Sequence, residues 1–212
     1  MYIPKHFSEN DHEALNEVIR AYPLATLVTN ASGNLDANHL PLHFTQRENS
    51  LGTLSGHVAR ANPLGKQIVA GQKVLAIFHG PQAYITPSWY PSKLHTSMVV
   101  PTWNYVVVHA HGQLTLRDDA EWLRKHLETL TAKHETGFEK PWQVEDAPLA
   151  FIETLIRAVV GIEIEITRLA GKCKVSQNQP VENQIGVMQG LRESEHEKDH
   201  EMASIIQRIN HL

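Results

Sequence analysis

The sequence holds one cysteine among 212 residues, so no disulfide can close within the chain. That usage fits a reducing compartment, and Cys173 reads as an incidental thiol. Long apolar runs are also missing. No window approaches the roughly 18 apolar residues of a membrane span, and Met1-Tyr2-Ile3-Pro4-Lys5-His6-Phe7 lacks an apolar stretch of signal-peptide length. A soluble cytoplasmic protein without a membrane segment is expected. Positive charge is not in excess: 19 Lys and Arg stand against 23 Asp and Glu, a net charge of −4. A basic nucleic-acid surface spread over the whole chain is thereby excluded, and any DNA contact has to be local. No G-x-S-x-G, Walker A or G-x-G-x-x-G pattern occurs, so hydrolase, nucleotidase and Rossmann readings lose their usual support.

What is present is a succession of short strands. Apolar residues at helical spacing from Asp11 to Tyr22 predict a helix that Pro23 ends. Leu24 to Thr29, Leu35 to Phe44, Ser50 to Val58, Lys73 to His79 and Gln82 to Thr86 are β-favouring runs, with turn signals at Ala31-Ser32-Gly33-Asn34 and Gly80-Pro81. Consecutive short strands joined by tight turns predict a closed antiparallel barrel. Asn62 and Pro63 predict the start of a helix reaching Ala70 before Gly71. A strand over Asn104 to Leu116, a helix from Asp118-Asp119 to about His134, a helix over Pro148 to Val159 and a strand over Val160 to Leu169 follow. Past Gly171 the chain becomes polar and charged, with a solvated helix expected from about Glu193 to Ile209. The division expected is a domain over 1–170 and a C-terminal extension over 171–212. The stretch after Leu191 is expected to be dispensable for ligand binding.

Two segments carry the types of residue that bind ligands. Around Ser55-Gly56-His57-Val58-Ala59-Arg60-Ala61-Asn62-Pro63, a strand gives way to a helix N-terminus, where free N–H groups favour an anion and Arg60 can add a bidentate bond. The same residues also read as a satisfied strand histidine, an exposed arginine and an ordinary cap. Gly80 to Lys93, with Pro101-Thr102-Trp103-Asn104-Tyr105 close behind, supplies flat apolar faces and small polar groups of the kind a planar heterocycle needs. Core or interface packing is the alternative. Lys172 and Lys174, two apart on an extended segment, can point to one side and reach a phosphate, or stay in solvent.

Taken in order, His39-Leu40-Pro41-Leu42, Gly56 to Pro63, Tyr84 to Tyr90, Val100 to Tyr105 with His109 and His111-Gly112, and Gly171-Lys172-Cys173-Lys174-Val175-Ser176-Gln177-Asn178 resemble the PaiB family of FMN-binding negative transcriptional regulators. The resemblance runs from Tyr2 to about Leu191. It implies a mostly β, α+β fold: an antiparallel FMN-binding split β-barrel, related to the pyridoxamine-phosphate-oxidase group, with peripheral helices and a C-terminal helical extension. It further implies a homodimer with FMN in a cleft between subunits. On it His57, Arg60 and Asn62 fall near the phosphate and ribityl chain. Ser88, Trp89, Lys93, Thr102, Trp103 and Asn104 line the flavin ring or the dimer seam, and Lys172, Lys174 and Gln177 join the cofactor-binding set. Gln179 stands where the family often has Arg, and Leu94 to Met98 replaces a more charged loop.

His196-Glu197-Lys198-Asp199-His200 matches the zinc-protease pattern H-E-x-x-H. It lies in a charge-dense helix with little chain left to supply a third ligand, so a solvated helix is expected and no metal. His109 and His111 share a strand face, but two histidines without a further cluster are expected to be structural or to face the cofactor cleft. The function implied is that of an FMN-binding transcriptional regulator. No DNA-reading element is identifiable, since the acidic C-terminal helix would be repelled by phosphate. The rival is a flavin-dependent oxidoreductase acting on a small molecule, for which no catalytic residue can be named.

Overall fold

Alternating apolar and polar residues from Leu24 onward build an eight-stranded antiparallel sheet in a computed structural model that describes residues 1–31 and 33–212. The strands are β1 (Ser8–Glu9), β2 (Leu24–Ala31), β3 (Asn34–Pro41), β4 (His43–Thr45), β5 (Thr53–Ala59), β6 (Gln72–Ile85), β7 (Thr102–Arg117) and β8 (Val159–Lys174). The helices are α1 (His12–Ala21), α2 (Leu64–Gln67), α3 (Lys93–Thr96), α4 (Ala120–Glu135), α5 (Leu149–Arg157), α6 (Val181–Arg192) and α7 (Glu197–Asn210). Hydrogen-bonded neighbours run β3-β2-β6-β7-β8-β5-β4, with β1 added to β8. The split-barrel class is thus as expected, while the path of hydrogen bonds stays open between β3 and β4 among the described residues. None of the described helices is long and apolar enough to cross a membrane.

Several boundaries differ from those the sequence predicts. The run Leu35 to Phe44 is two strands, because Pro41 has no N–H to give a ladder and the Leu42 N–H turns to the Pro23 carbonyl at 2.9 Å. Of the turn expected at Ala31-Ser32-Gly33-Asn34, Ser32 lies outside the described residues. Ala31 pairs with Asn34, and Gly33 has φ +82°, which glycine enters freely. Gly80-Pro81 is no turn: both residues lie inside β6. A Cβ on Gly80 would stand 3.1 Å from the Val106 Cβ, so the glycine marks close approach of β7. α2 stops at Gln67 and not at Ala70, with Ile68 already extended at φ −75°, ψ 129°; β-branched Ile68 and Val69 favour that backbone.

The chain forms two compact units. The first comprises Met1–Ala21, His79–His109 and Ala170–Leu212. Its core joins Ala83, Ile85 and Tyr90 to Val106, Cys173, Val175, Val187, Met188 and Leu191, closed by Met202, Ala203 and Ile206 of α7. This corrects the solvated C-terminal helix: Met202, Ala203 and Ile206 are fully buried, at the three- and four-residue spacing of one helix face. It also adds α6, which the sequence reading missed because Asn183, Gln184 and two glycines interrupt its apolar pattern. The second unit comprises Tyr22–Phe78 and Ala110–Leu169. There α4, N-capped by the Asp119 carboxylate accepting from the Trp122 N–H at 2.7 Å, packs Leu123 with Ile152 and Ile156 of α5 and with Val144.

Candidate functional site

In the first unit, alternation along three strands separates two faces. Ala83, Ile85, Val106, Cys173 and Val175 enter the core. Tyr84, Trp103, Tyr105, Lys172 and Lys174 take the opposite face, where Tyr84 is 49% and Trp103 54% exposed. The Tyr84 and Trp103 rings meet edge to face with centroids 5.9 Å apart. Lys172 Nζ lies 5.1 Å from the centre of the Tyr105 ring, a cation–π arrangement. Lys174 Nζ donates to the Trp103 carbonyl at 2.8 Å and to the Thr102 hydroxyl. Burial pushes the Lys174 pKa down, and the Lys172 charge pushes it further. Among the described residues neither ammonium has a carboxylate partner.

The structure therefore brings Thr102, Trp103, Lys172 and Lys174 together, and adds Tyr84 and Tyr105. Those two were legible in principle as period-two neighbours of Trp103 and of the lysine pair across the strands. Asn104 points the other way: it is fully buried, its Nδ2 donates to Ser176 Oγ at 2.9 Å, and its Oδ1 has no partner among the described residues. The Gln177 amide is committed to its own backbone, accepting from the Val175 N–H at 2.7 Å and donating to the Cys173 carbonyl at 2.6 Å. Ser88 and Lys93 are exposed on the segment after β6, flanking Trp89, which packs partly against the core.

His57, Arg60 and Asn62 belong to the second unit. Asn62 is the expected cap, accepting from the Leu64 N–H at 2.9 Å, while its amide donates to Asn38 Oδ1 at 2.9 Å. Of the five guanidinium N–H groups, Arg60 directs four to protein acceptors: two to the Asp118 carboxylate and one each to the carbonyls of Arg157 and Val159. The paired donors that could grip a phosphate already grip a carboxylate. His57 Nδ1 lies 3.2 Å from His126 Nε2, so one ring donates and the other accepts. His126 stacks on Trp122 with centroids 5.3 Å apart. No sequence signal linked His57 to α4.

Burial, with His57 and His43 nearby, lowers the His126 pKa to about 4. Burial also lowers His57, and burial with Lys133 and His134 lowers His43. The folded state thus binds fewer protons than the unfolded one. The stability this confers is complete above the unfolded value of 6.5 and is lost as pH falls towards 4. At 1.36 kcal/mol per unit, His126 alone should cost about 3 kcal/mol between pH 7 and pH 4. Urea midpoints across that range should fall steeply for the natural chain and less for His126→Phe; equal slopes would remove His126 as the cause.

The chain is similar to known proteins in both sequence and fold. The family profile described as "Putative FMN-binding domain" matches residues 1–168. The chain is 30% identical to Protease synthase and sporulation protein PAI 2 of Bacillus subtilis, over 98% of this chain and 97% of that one. It is 34% identical to an uncharacterized protein of Emericella nidulans, over 90% of each. Its fold is similar to that of the flavocytochrome Anf3 from Azotobacter vinelandii, with a TM-score of 0.55 at 14% identity, covering 81% of this chain and 72% of that one.

Proposed function

This chain belongs to the PaiB-type family of FMN-binding proteins, and from that premise we propose a cytoplasmic homodimeric flavoprotein regulator that holds FMN on the Tyr84, Trp103, Tyr105, Lys172 and Lys174 face. FMN is the cofactor. The observation that carries the placement is the lysine pair without a carboxylate beside three aromatic rings. A flavin offers a flat, largely apolar ring system, and its phosphate carries close to two negative charges at neutral pH. Rings suit the first, and two ammonium groups suit the second. When bound, the flavin supplies redox chemistry; the residues named here bind and orient it.

The homodimer is supported by Met98, Val100 and Trp103, which are 85%, 73% and 54% exposed along one stretch of chain. A second copy related by a two-fold axis would take that apolar surface out of water. The regulatory reading draws on the Bacillus subtilis relative, whose name ties it to protease synthesis and sporulation. With a net charge of −4, contact with DNA is confined to a local patch or replaced by a protein partner.

Purified protein should carry an oxidised-flavin spectrum, release a cofactor of the mass of FMN, and scatter light as a particle of about twice 23.9 kDa. A scattering mass near 23.9 kDa with and without FMN would rule out the dimer. A shifted band with chromosomal DNA supports direct regulation. Steady oxidation of NADH or NADPH by the flavin with a small-molecule acceptor would move the protein to the oxidoreductases.

A further inference from the structure

α6 carries two glycines one turn apart, although glycine is a poor helix residue. Both are explained by one neighbour. A Cβ on Gly186 would lie 2.1 Å from the Trp89 carbonyl oxygen, and one on Gly190 would lie 2.4 Å from the Trp89 indole. On the same helix face, Asn183 is 2% exposed. Its Oδ1 accepts from the Ser92 N–H at 3.2 Å, and its Nδ2 donates to Ser92 Oγ at 2.9 Å and to Gln179 Oε1 at 3.3 Å. The helix thus holds both ends of Trp89-Tyr90-Pro91-Ser92, the first through close packing and the second through its backbone and side chain together. Ser88 precedes this segment and Lys93, which opens α3, follows it.

We propose that α6 is the positioning element of the cofactor site: Asn183, Gly186 and Gly190 fix the course of Trp89–Ser92 and thereby where Ser88 and Lys93 stand. The inference rests on the reading of FMN as the ligand and of Ser88 and Lys93 as part of its surroundings. α6 lies beyond residue 168, where the matched family profile ends. The element that sets this part of the site is therefore outside the domain that names the family. Asn183 is buried to hold a neighbour, which explains a polar residue where an apolar one would pack more cheaply.

The test uses the full chain with and without FMN. Without FMN, Asn183→Ala should speed hydrogen exchange over residues 88–100 while leaving the rest of the first unit protected. With FMN, its Kd, read by quenching of flavin fluorescence, should rise roughly tenfold, the loss expected for about one hydrogen bond to a positioned group. Asn183→Asp keeps the acceptor for the Ser92 N–H but loses the Nδ2 donor to Ser92 Oγ and Gln179 Oε1, so it should recover only part of that loss. Ile206→Ala lowers stability from within the same core and serves as the control: at a temperature where it is folded, exchange should quicken across the first unit with no excess over 88–100, and FMN affinity should match the natural chain. Unchanged exchange in Asn183→Ala overturns the proposal, as does an equal loss of affinity in Ile206→Ala. If the natural chain bound no FMN, the flavin reading would fall, and the exchange comparison would still decide whether α6 holds the segment.

Discussion

A chain ending at Arg192 is expected to lose the fold of its first unit. Truncation removes Met202 and Ile206, both fully buried, and uncovers Leu191 and Val187, also fully buried. A fully buried side chain of this size is worth about 1.5 to 3 kcal/mol, so the two deleted ones alone account for about 3 to 6 kcal/mol. Total stability for a protein of this size is on the order of 5 to 15 kcal/mol. The truncation also removes Asn210, whose amide donates to the Val175 carbonyl at 2.9 Å next to the lysine pair, and Gln207, which accepts from Arg192 at 2.6 Å. Ile206→Ala is the milder form and should cost about 2 to 5 kcal/mol through the cavity it leaves. Urea denaturation followed by near-ultraviolet circular dichroism reports both. A truncated chain that unfolds at the natural midpoint would return α7 to the solvated helix its charges suggest.

Lys172→Met should weaken FMN binding by about 2 kcal/mol, roughly 30-fold, because it removes a charged donor from an anion while keeping the apolar stem over Tyr105. Lys174→Met should weaken it by at least as much, since Lys174 also ties Thr102 to the Trp103 carbonyl. Riboflavin lacks the phosphate, so its affinity should barely change in Lys172→Met. Raising salt should erode FMN binding to the natural chain more than to either variant. Equal losses for FMN and riboflavin would show that the lysines support the ring or the fold and do not meet the phosphate.

Most of the secondary structure was legible because it depends on neighbours in sequence. Period two in β2, β5 and β8, and the Asp119 cap of α4, are local facts. The failures at Gly80-Pro81, α6 and α7 share one cause: a residue whose role is set by something distant. Gly80-Pro81 has the composition of a turn and lies inside a strand because β7 comes close. Asn183, Gly186 and Gly190 hid α6 because they answer to Ser92 and Trp89, which lie far back along the chain. Glu197, Lys198, Asp199 and Glu201 suggest a solvated helix, and its other face nonetheless closes a core. In the H-E-x-x-H match, His200 Nε2 lies 2.8 Å from the Ser194 carbonyl, a contact that the motif pattern does not predict.

The same division runs through the site. The sequence alone determined the residue types: one cysteine and so no disulfide, an antiparallel β fold, a family motif set that names FMN, and lysines and aromatic rings of the kinds that suit such a ligand. These follow from composition, local period and order along the chain, which need no coordinates. Which side chains converge was decided only in three dimensions. Register sets Tyr84, Trp103, Tyr105, Lys172 and Lys174 on one strand face and turns Asn104 into the core, because a step of one residue reverses a side chain. Asp118, fifty-eight positions from Arg60, occupies the guanidinium that the motif alone would offer to phosphate. Local chemistry states what a side chain can bind, and the packing of distant strands and helices decides whether its donors are free to do so.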